Sequence, residues 1–258
     1  MDRLGTHNQK TGISVNALRL LGMLFLAAGI IGRGVFQNHI LGFTGMNVRQ
    51  MLESIQISET TLNYAALSIA LQVIETCAGP IFAMLLVEGV RHTSDFNKYF
   101  ARVLGISLLT EIPYNLAMGR GVLDFSSRNP MFSLVLGMLL LFFYQRYAGK
   151  DARNMAMKLL LTAAALAWVK MLNIHYGTPM LVLILVLWAL RNKSRRNLLG
   201  AGAALACGLL SPCFLASPAA FLAIRMCNGD REQESRAVNY LMYPGLLLLG
   251  YIFGKYLL

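Results

Sequence analysis

Apolar runs and short polar joints alternate along this chain from residue 17 to its end, and every second joint is basic. The runs fall near 17–37, 62–90, 99–118, 131–147, 156–172, 178–190, 198–210, 212–225 and 237–257. A helix needs roughly 20 apolar residues to cross a bilayer. Inside lipid every backbone N–H and C=O must be satisfied within the segment, which leaves helices for runs of this kind. The pattern predicts an all-α fold: a polytopic transmembrane helical bundle of about nine spans. Seventeen of the 23 Lys and Arg residues lie in alternate joints, the largest groups being Arg146, Lys150, Arg153, Lys158 and Arg191, Lys193, Arg195, Arg196. Cationic joints stay on the cytoplasmic side, so the expected topology is N-in and C-out. The same rule accounts for the net charge of +11. No basic stretch interleaved with aromatics is present, so nucleic acid is not an expected partner.

The 62–90 run is longer than one crossing needs, and Gly79-Pro80 lies inside it. Proline removes an amide donor and kinks a helix. One bent span preserves the alternation of basic joints; two spans would invert everything downstream. Residues 38–61 form the longest outer joint, where a short amphipathic surface helix fits. The stretch 119–130, GRGVLDFSSRNP, reads as a loop and Asn228-Gly229 as a turn. Residues 1–16 read as a polar cytoplasmic tail with no small-residue cleavage signal. No repeat or composition shift divides the chain, so 1–258 is expected to be one domain. The four cysteines lack CxxC spacing, which argues against a zinc site or a disulfide framework.

Three acids sit in or beside apolar sequence: Glu75, Glu88 and Glu111. An ionisable group at membrane depth is costly, so it is paired or functional. Glu88, Arg91 and His92 share a helix face at i, i+3 and i+4. They read either as an acid–base unit or as a salt-bridged helix end. Glu75 lies 13 positions before Glu88, about 20 Å along a helix. It reads as a substrate group or as a structural partner of Lys170 or Arg33. Glu111-Ile112-Pro113-Tyr114-Asn115 closes the third run and reads as a broken helix offering polar groups to a substrate, or as a capped kink. His39 and His175 are the remaining histidines of the runs and turns, and His7 lies in the tail.

The central stretch resembles the TraX family of integral membrane proteins. The resemblance rests on Pro80-Ile81-Phe82-Ala83, Val87-Glu88-Gly89, Arg91-His92-Thr93, Lys98-Tyr99, Arg102 and Glu111-Ile112-Pro113-Tyr114-Asn115-Leu116. Asn129 with Phe132, Tyr176-Gly177, Asn228-Gly229 and Tyr243-Pro244 extend it along the chain. The family is that of the bacterial conjugative-pilin acetylase of the inner membrane, and looks related to membrane acyltransferases that draw on cytosolic acetyl-CoA. The resemblance implies a multi-pass protein of the cytoplasmic membrane that transfers an acyl group from acetyl-CoA, its co-substrate, to an amine or hydroxyl. The acceptor is a protein, sugar or lipid head group of unknown identity. No metal is implied.

Carried onto this sequence, the resemblance makes His92 and Glu88 the catalytic pair. Arg91, Lys98 and Arg102 become the ligands of the CoA phosphates, and Glu75, Glu111, Tyr114, Asn115 and Asn129 the substrate-binding groups. The chain also departs from the pattern. Where relatives carry an Asp-His-Ile-Gly word it reads Gly29-Ile30-Ile31-Gly32. An expected arginine is Thr76, the Asp of an Asp-Tyr-Gly word is His175, and an expected histidine is Leu246. These departures leave a second reading open, in which the protein is an assembly scaffold or a small-solute transporter. Oligomeric state is not legible in the sequence.

Overall fold

The computed structural model describes residues 12–46, 48–55, 58–230 and 236–256. Most of the polar tail, with His7, Arg3 and Lys10, lies outside the described residues, as does Arg231. Among the described residues the chain is all-helical and has no strand; two isolated bridges, Ile13 with Cys227 and Arg128 with Ile174, tie loops together.

The helices are α1 (Val15–Gly29), α2 (Val48–Ile55), α3 (Glu59–Glu75), α4 (Ala78–His92), α5 (Phe96–Ala117), α6 (Met131–Arg146), α7 (Ala152–Met171), α8 (Gly177–Ala189), α9 (Arg196–Ala206), α10 (Ala220–Met226) and α11 (Arg236–Tyr256). A π-helical stretch, Ile30–Ile40, continues α1 without a break, and a 3-10 stretch, Pro212–Ala219, leads into α10. Two helical paths, Val15–Ile40 and Glu59–His92, are long and apolar enough to cross a membrane. Met131–Arg146, Gly177–Ala189 and Pro212–Met226 are shorter apolar helices.

Helix α4 is the centre. It is apolar on nearly every side, and a helix of that kind must be wrapped by others. Ile81, Ala83 and Val87 are fully buried, with α1, α6, α8 and α10 packed around them. Outward faces are apolar too: Leu24, Leu62, Ile69, Leu108, Leu159 and Leu249 are exposed. Exposed apolar surface on this scale marks a face meant for a non-aqueous neighbour.

The long second path is one bent helix, but its break lies earlier than Gly79-Pro80. Pro80 has no N–H to give the Thr76 carbonyl, so that carbonyl takes the Gly79 N–H instead, at 3.1 Å. The chain turns at Thr76-Cys77, and Pro80 falls in the first turn of α4, where a missing donor costs little. The Thr76 hydroxyl covers the frayed end of α3 by donating to the carbonyls of Val73 (2.7 Å) and Cys213 (3.0 Å). Helix α5 corrects a second expectation. It is not broken at Pro113 but runs through it to Ala117.

The caps follow local chemistry. The Asp95 carboxylate accepts the Lys98 backbone N–H at 3.0 Å and so starts α5. That amide, with the Lys98 ammonium, holds the Asp95 carboxyl below its ordinary range. A carboxyl lowered in the fold stabilises it above the ordinary carboxylate range and ceases to do so as pH falls through the lowered value. Outside α1, the expected surface helix is α2, braced by an Arg49–Glu53 pair at 2.9 Å.

The π-helical stretch packs backbone-close on its neighbours. A Cβ at Gly34 would stand 2.7 Å from the Ala117 carbonyl oxygen of α5, and one at Gly32 would stand 2.8 Å from the Ser68 carbonyl of α3. Neither backbone can step aside as a side chain can. Gly34→Val is expected to destabilise the protein by about 1–3 kcal/mol through overpacking. Gly105→Ala, on an open face of α5, should be neutral or slightly stabilising. Thermal unfolding of the detergent-solubilised variants checks both, and equal melting temperatures would refute the close-packing account.

Candidate functional site

Helix ends from four parts of the chain meet around one cavity. The start of α1 brings Asn16 and Arg19, and the end of α4 brings Glu88, Gly89 and His92. The start of α5 brings Tyr99 and Arg102, and the start of α9 brings Arg196. The cavity measures about 950 Å³, near the upper end for small-molecule sites. Gly89 is needed there for clearance: a Cβ would stand 2.5 Å from the Tyr99 hydroxyl.

Glu88 is the hub of this mouth. Its carboxylate accepts from Arg196 at 2.5 Å and from Arg91 at 3.3 Å. The His92 ring lies 2.9 Å, through Nδ1, from the Glu88 backbone carbonyl and 3.5 Å from its carboxylate. A carbonyl only accepts, so Nδ1 carries the proton and Nε2 holds the lone pair in the neutral ring. More than half of the His92 side chain is exposed. Of the expected phosphate ligands, Arg102 lines the cavity. Arg91 braces Glu88 from its flank, and Lys98 pairs with Asp95 at 3.0 Å with its side chain 80% exposed. Arg196 was not singled out from the sequence, because in Arg191–Arg196 it reads as one more topological charge.

A second group of polar side chains lies deeper. Glu75 ends α3 and meets Arg33 of the π-helical stretch at 3.0 Å, with side chains only 8% and 12% exposed. The same Arg33 nitrogen donates to Gln72 (3.3 Å) and to the Tyr176 hydroxyl (3.2 Å). Of the two partners considered for Glu75, the structure selects Arg33. Room for the carboxylate comes from Gly29, since a Cβ there would stand 2.1 Å from the Glu75 carboxyl carbon. Tyr176 takes a left-handed backbone, φ 54°, unusual for a bulky residue. Its ring is held against His175, at 3.9 Å between centroids, and edge-on to Phe214 at 5.2 Å. Burial, then the Arg33 and Arg120 guanidiniums, push the His175 imidazole well below its ordinary pKa.

The mouth and this deeper pair are neighbours. An apolar chamber of about 80 Å³ reaches Glu75, Thr76 and Tyr176, and it shares Phe82, Met131 and Leu134 with the mouth. Those three side chains form the wall common to both. Tyr114 is buried beside the chamber in a cluster with Met23, Ile30, Tyr243 and Leu247.

The remaining expected substrate groups are engaged with a loop. Glu111 pairs with Arg128 at 3.0 Å and accepts the Asn129 side-chain amide at 2.6 Å. That amide also donates to the Ser107 carbonyl at 3.0 Å. Asn115 donates to the carbonyls of Val122 (3.4 Å) and Asp124 (3.1 Å). Glu111, Asn115 and Asn129 thus fasten residues 119–130 to α5, and none of them lines the mouth or the chamber. Among the described residues no group of three or more His, Cys, Asp or Glu is arranged to hold a metal ion.

The family model described as "TraX protein" matches residues 17–253. No curated protein and no solved structure matches the chain.

Proposed function

The chain belongs to the TraX family, and from that premise we propose that it is a multi-pass acyltransferase of the bacterial cytoplasmic membrane, with about nine spans, N-in and C-out. In this reading it takes an acetyl group from acetyl-CoA and passes it to an amine or hydroxyl of a protein such as a pilin, a sugar or a lipid. The observation that carries the reading is a cationic mouth set against an apolar chamber, with Phe82, Met131 and Leu134 lining both and the Glu75 partner of Arg33 lining the chamber. CoA has matching parts: anionic phosphates, a flexible arm and a small acyl group.

Arg102 and Arg196 at the cavity wall, backed by Arg91 and Lys98, meet the phosphates with charge-assisted hydrogen bonds. His92 presents Nε2 as the base that takes the proton from the attacking amine or hydroxyl. The nucleophile adds to the thioester carbonyl, the C–S bond breaks, and the departing thiolate takes up a proton. Glu88 fixes the ring through its backbone carbonyl and balances the imidazolium once it forms. Glu75 lines the chamber, with Tyr114 beside it.

Acetyl transfer by the purified protein in detergent tests the reading. His92→Ala should slow turnover by about 10²–10⁴-fold, the usual contribution of a general base, with CoA affinity little changed. Glu88→Ala should impair both. Absence of CoA or acetyl-CoA binding at millimolar ligand would refute the acyltransferase reading in favour of a scaffold or a transporter.

A further inference from the structure

The chamber behind that wall has a property that narrows the donor. Its walls are Met23, Leu26, Phe82, Met131, Leu134 and Met180, among other apolar side chains. Three of the polar residues that line it are already committed. The Glu75 carboxylate is held by Arg33, the Tyr176 hydroxyl accepts from Arg33, and the Thr76 hydroxyl is turned to the Val73 and Cys213 carbonyls. A polar occupant would surrender its water without regaining hydrogen bonds, at a cost of a few kcal/mol per group. An apolar one loses nothing.

We propose that this chamber is the acyl subsite, and that it selects thioesters with short unbranched acyl chains of about two to four carbons. The inference rests on the acyltransferase reading and adds the substrate class to it. The size follows from volume: an engineered apolar cavity of roughly 150 Å³ holds benzene, with six carbons, and this chamber has about 80 Å³. The position follows from adjacency, since Phe82, Met131 and Leu134 line both spaces. A thioester whose phosphates sit in the mouth enters the chamber between those three side chains. Three of the wall residues are methionines, whose unbranched side chains adapt to occupants of slightly different length. The far limit is the Arg33–Glu75 pair: a longer chain would press methylenes against two charges and strip what hydration and hydrogen bonding they have.

The test is calorimetric binding of free CoA and of acetyl-, propionyl-, butyryl-, hexanoyl- and octanoyl-CoA to the full-length protein in detergent. Affinity should rise about fourfold per methylene from acetyl to butyryl, the value of one buried CH₂, and fall for hexanoyl and octanoyl. Met180 touches the chamber and not the mouth. Met180→Ala should move the optimum one or two carbons longer, and Met180→Trp should bring butyryl-CoA down to the affinity of free CoA, which neither change alters. Equal affinity for free CoA and every acyl form would overturn the acyl subsite while leaving the CoA site standing. A rise that continues to octanoyl would overturn the length limit. No binding of free CoA would overturn the acyltransferase reading itself.

Discussion

Glu75→Ala is expected to destabilise the protein by about 3–5 kcal/mol, the usual result of stripping one partner from a buried ion pair. Arg33 would keep its charge in a site where only 12% of its side chain is exposed. Its remaining acceptors, Gln72 and Tyr176, are neutral. Arg33→Ala should cost a similar amount, because it leaves the Glu75 carboxylate alone. Removing both should cost clearly less than the sum of the two, since no charge is then stranded. Denaturant or thermal unfolding in micelles gives the double-mutant cycle. Additive losses, or a loss below about 1 kcal/mol for either single change, would mean that the pair is not coupled as its 3.0 Å contact implies.

At the mouth, Arg196→Glu should weaken CoA binding by roughly 10–100-fold, equivalent to one charge-assisted hydrogen bond of about 1.5–3 kcal/mol. Arg196 is the closest cation to Glu88, at 2.5 Å. Reversing it removes a phosphate ligand and also sets two carboxylates face to face, which pulls Arg91 away from any anion in the cavity. Arg196→Lys retains the charge and should stay within a few-fold of wild type, with the loss of fork geometry as the only penalty. The effect should shrink as salt is added, because the mouth is open to water. Unchanged calorimetric affinity in Arg196→Glu would remove this arginine from the CoA site.

Much of the architecture is legible because its cause is local. Apolar runs give the helices, Asp95 starts α5, and Gly229 takes the left-handed turn conformation, φ 80°, that Asn228-Gly229 announces. The Glu88, Arg91 and His92 spacing foretells the contacts they make. Arg33 as partner to Glu75 is within reach because buried acids need cations and few are available. Other features depend on contacts distant in sequence. Arg196 lies 108 residues from Glu88, and nothing in its own joint separates it from the neighbouring cations. Glu111, Asn115 and Asn129 look like a binding cluster, and only the fold shows their polar atoms fastening a loop. The bend at Thr76-Cys77 and the continuity of α5 through Pro113 turn on which carbonyl loses its donor and what surrounds it, which composition does not report.

Gly29 shows how a missing side chain can make room for a charge from another helix. The resemblance leads one to expect an acid at that position and an arginine beside Glu75, and by columns this chain has lost both. In space, the volume that a side chain at position 29 would enter holds a carboxylate, delivered from α3 by Glu75, and the guanidinium comes from Arg33 one turn beyond Gly29. Acid and base meet here from α3 and the π-helical stretch, so the pair depends on the absence of a side chain at position 29 as well as on its own two residues.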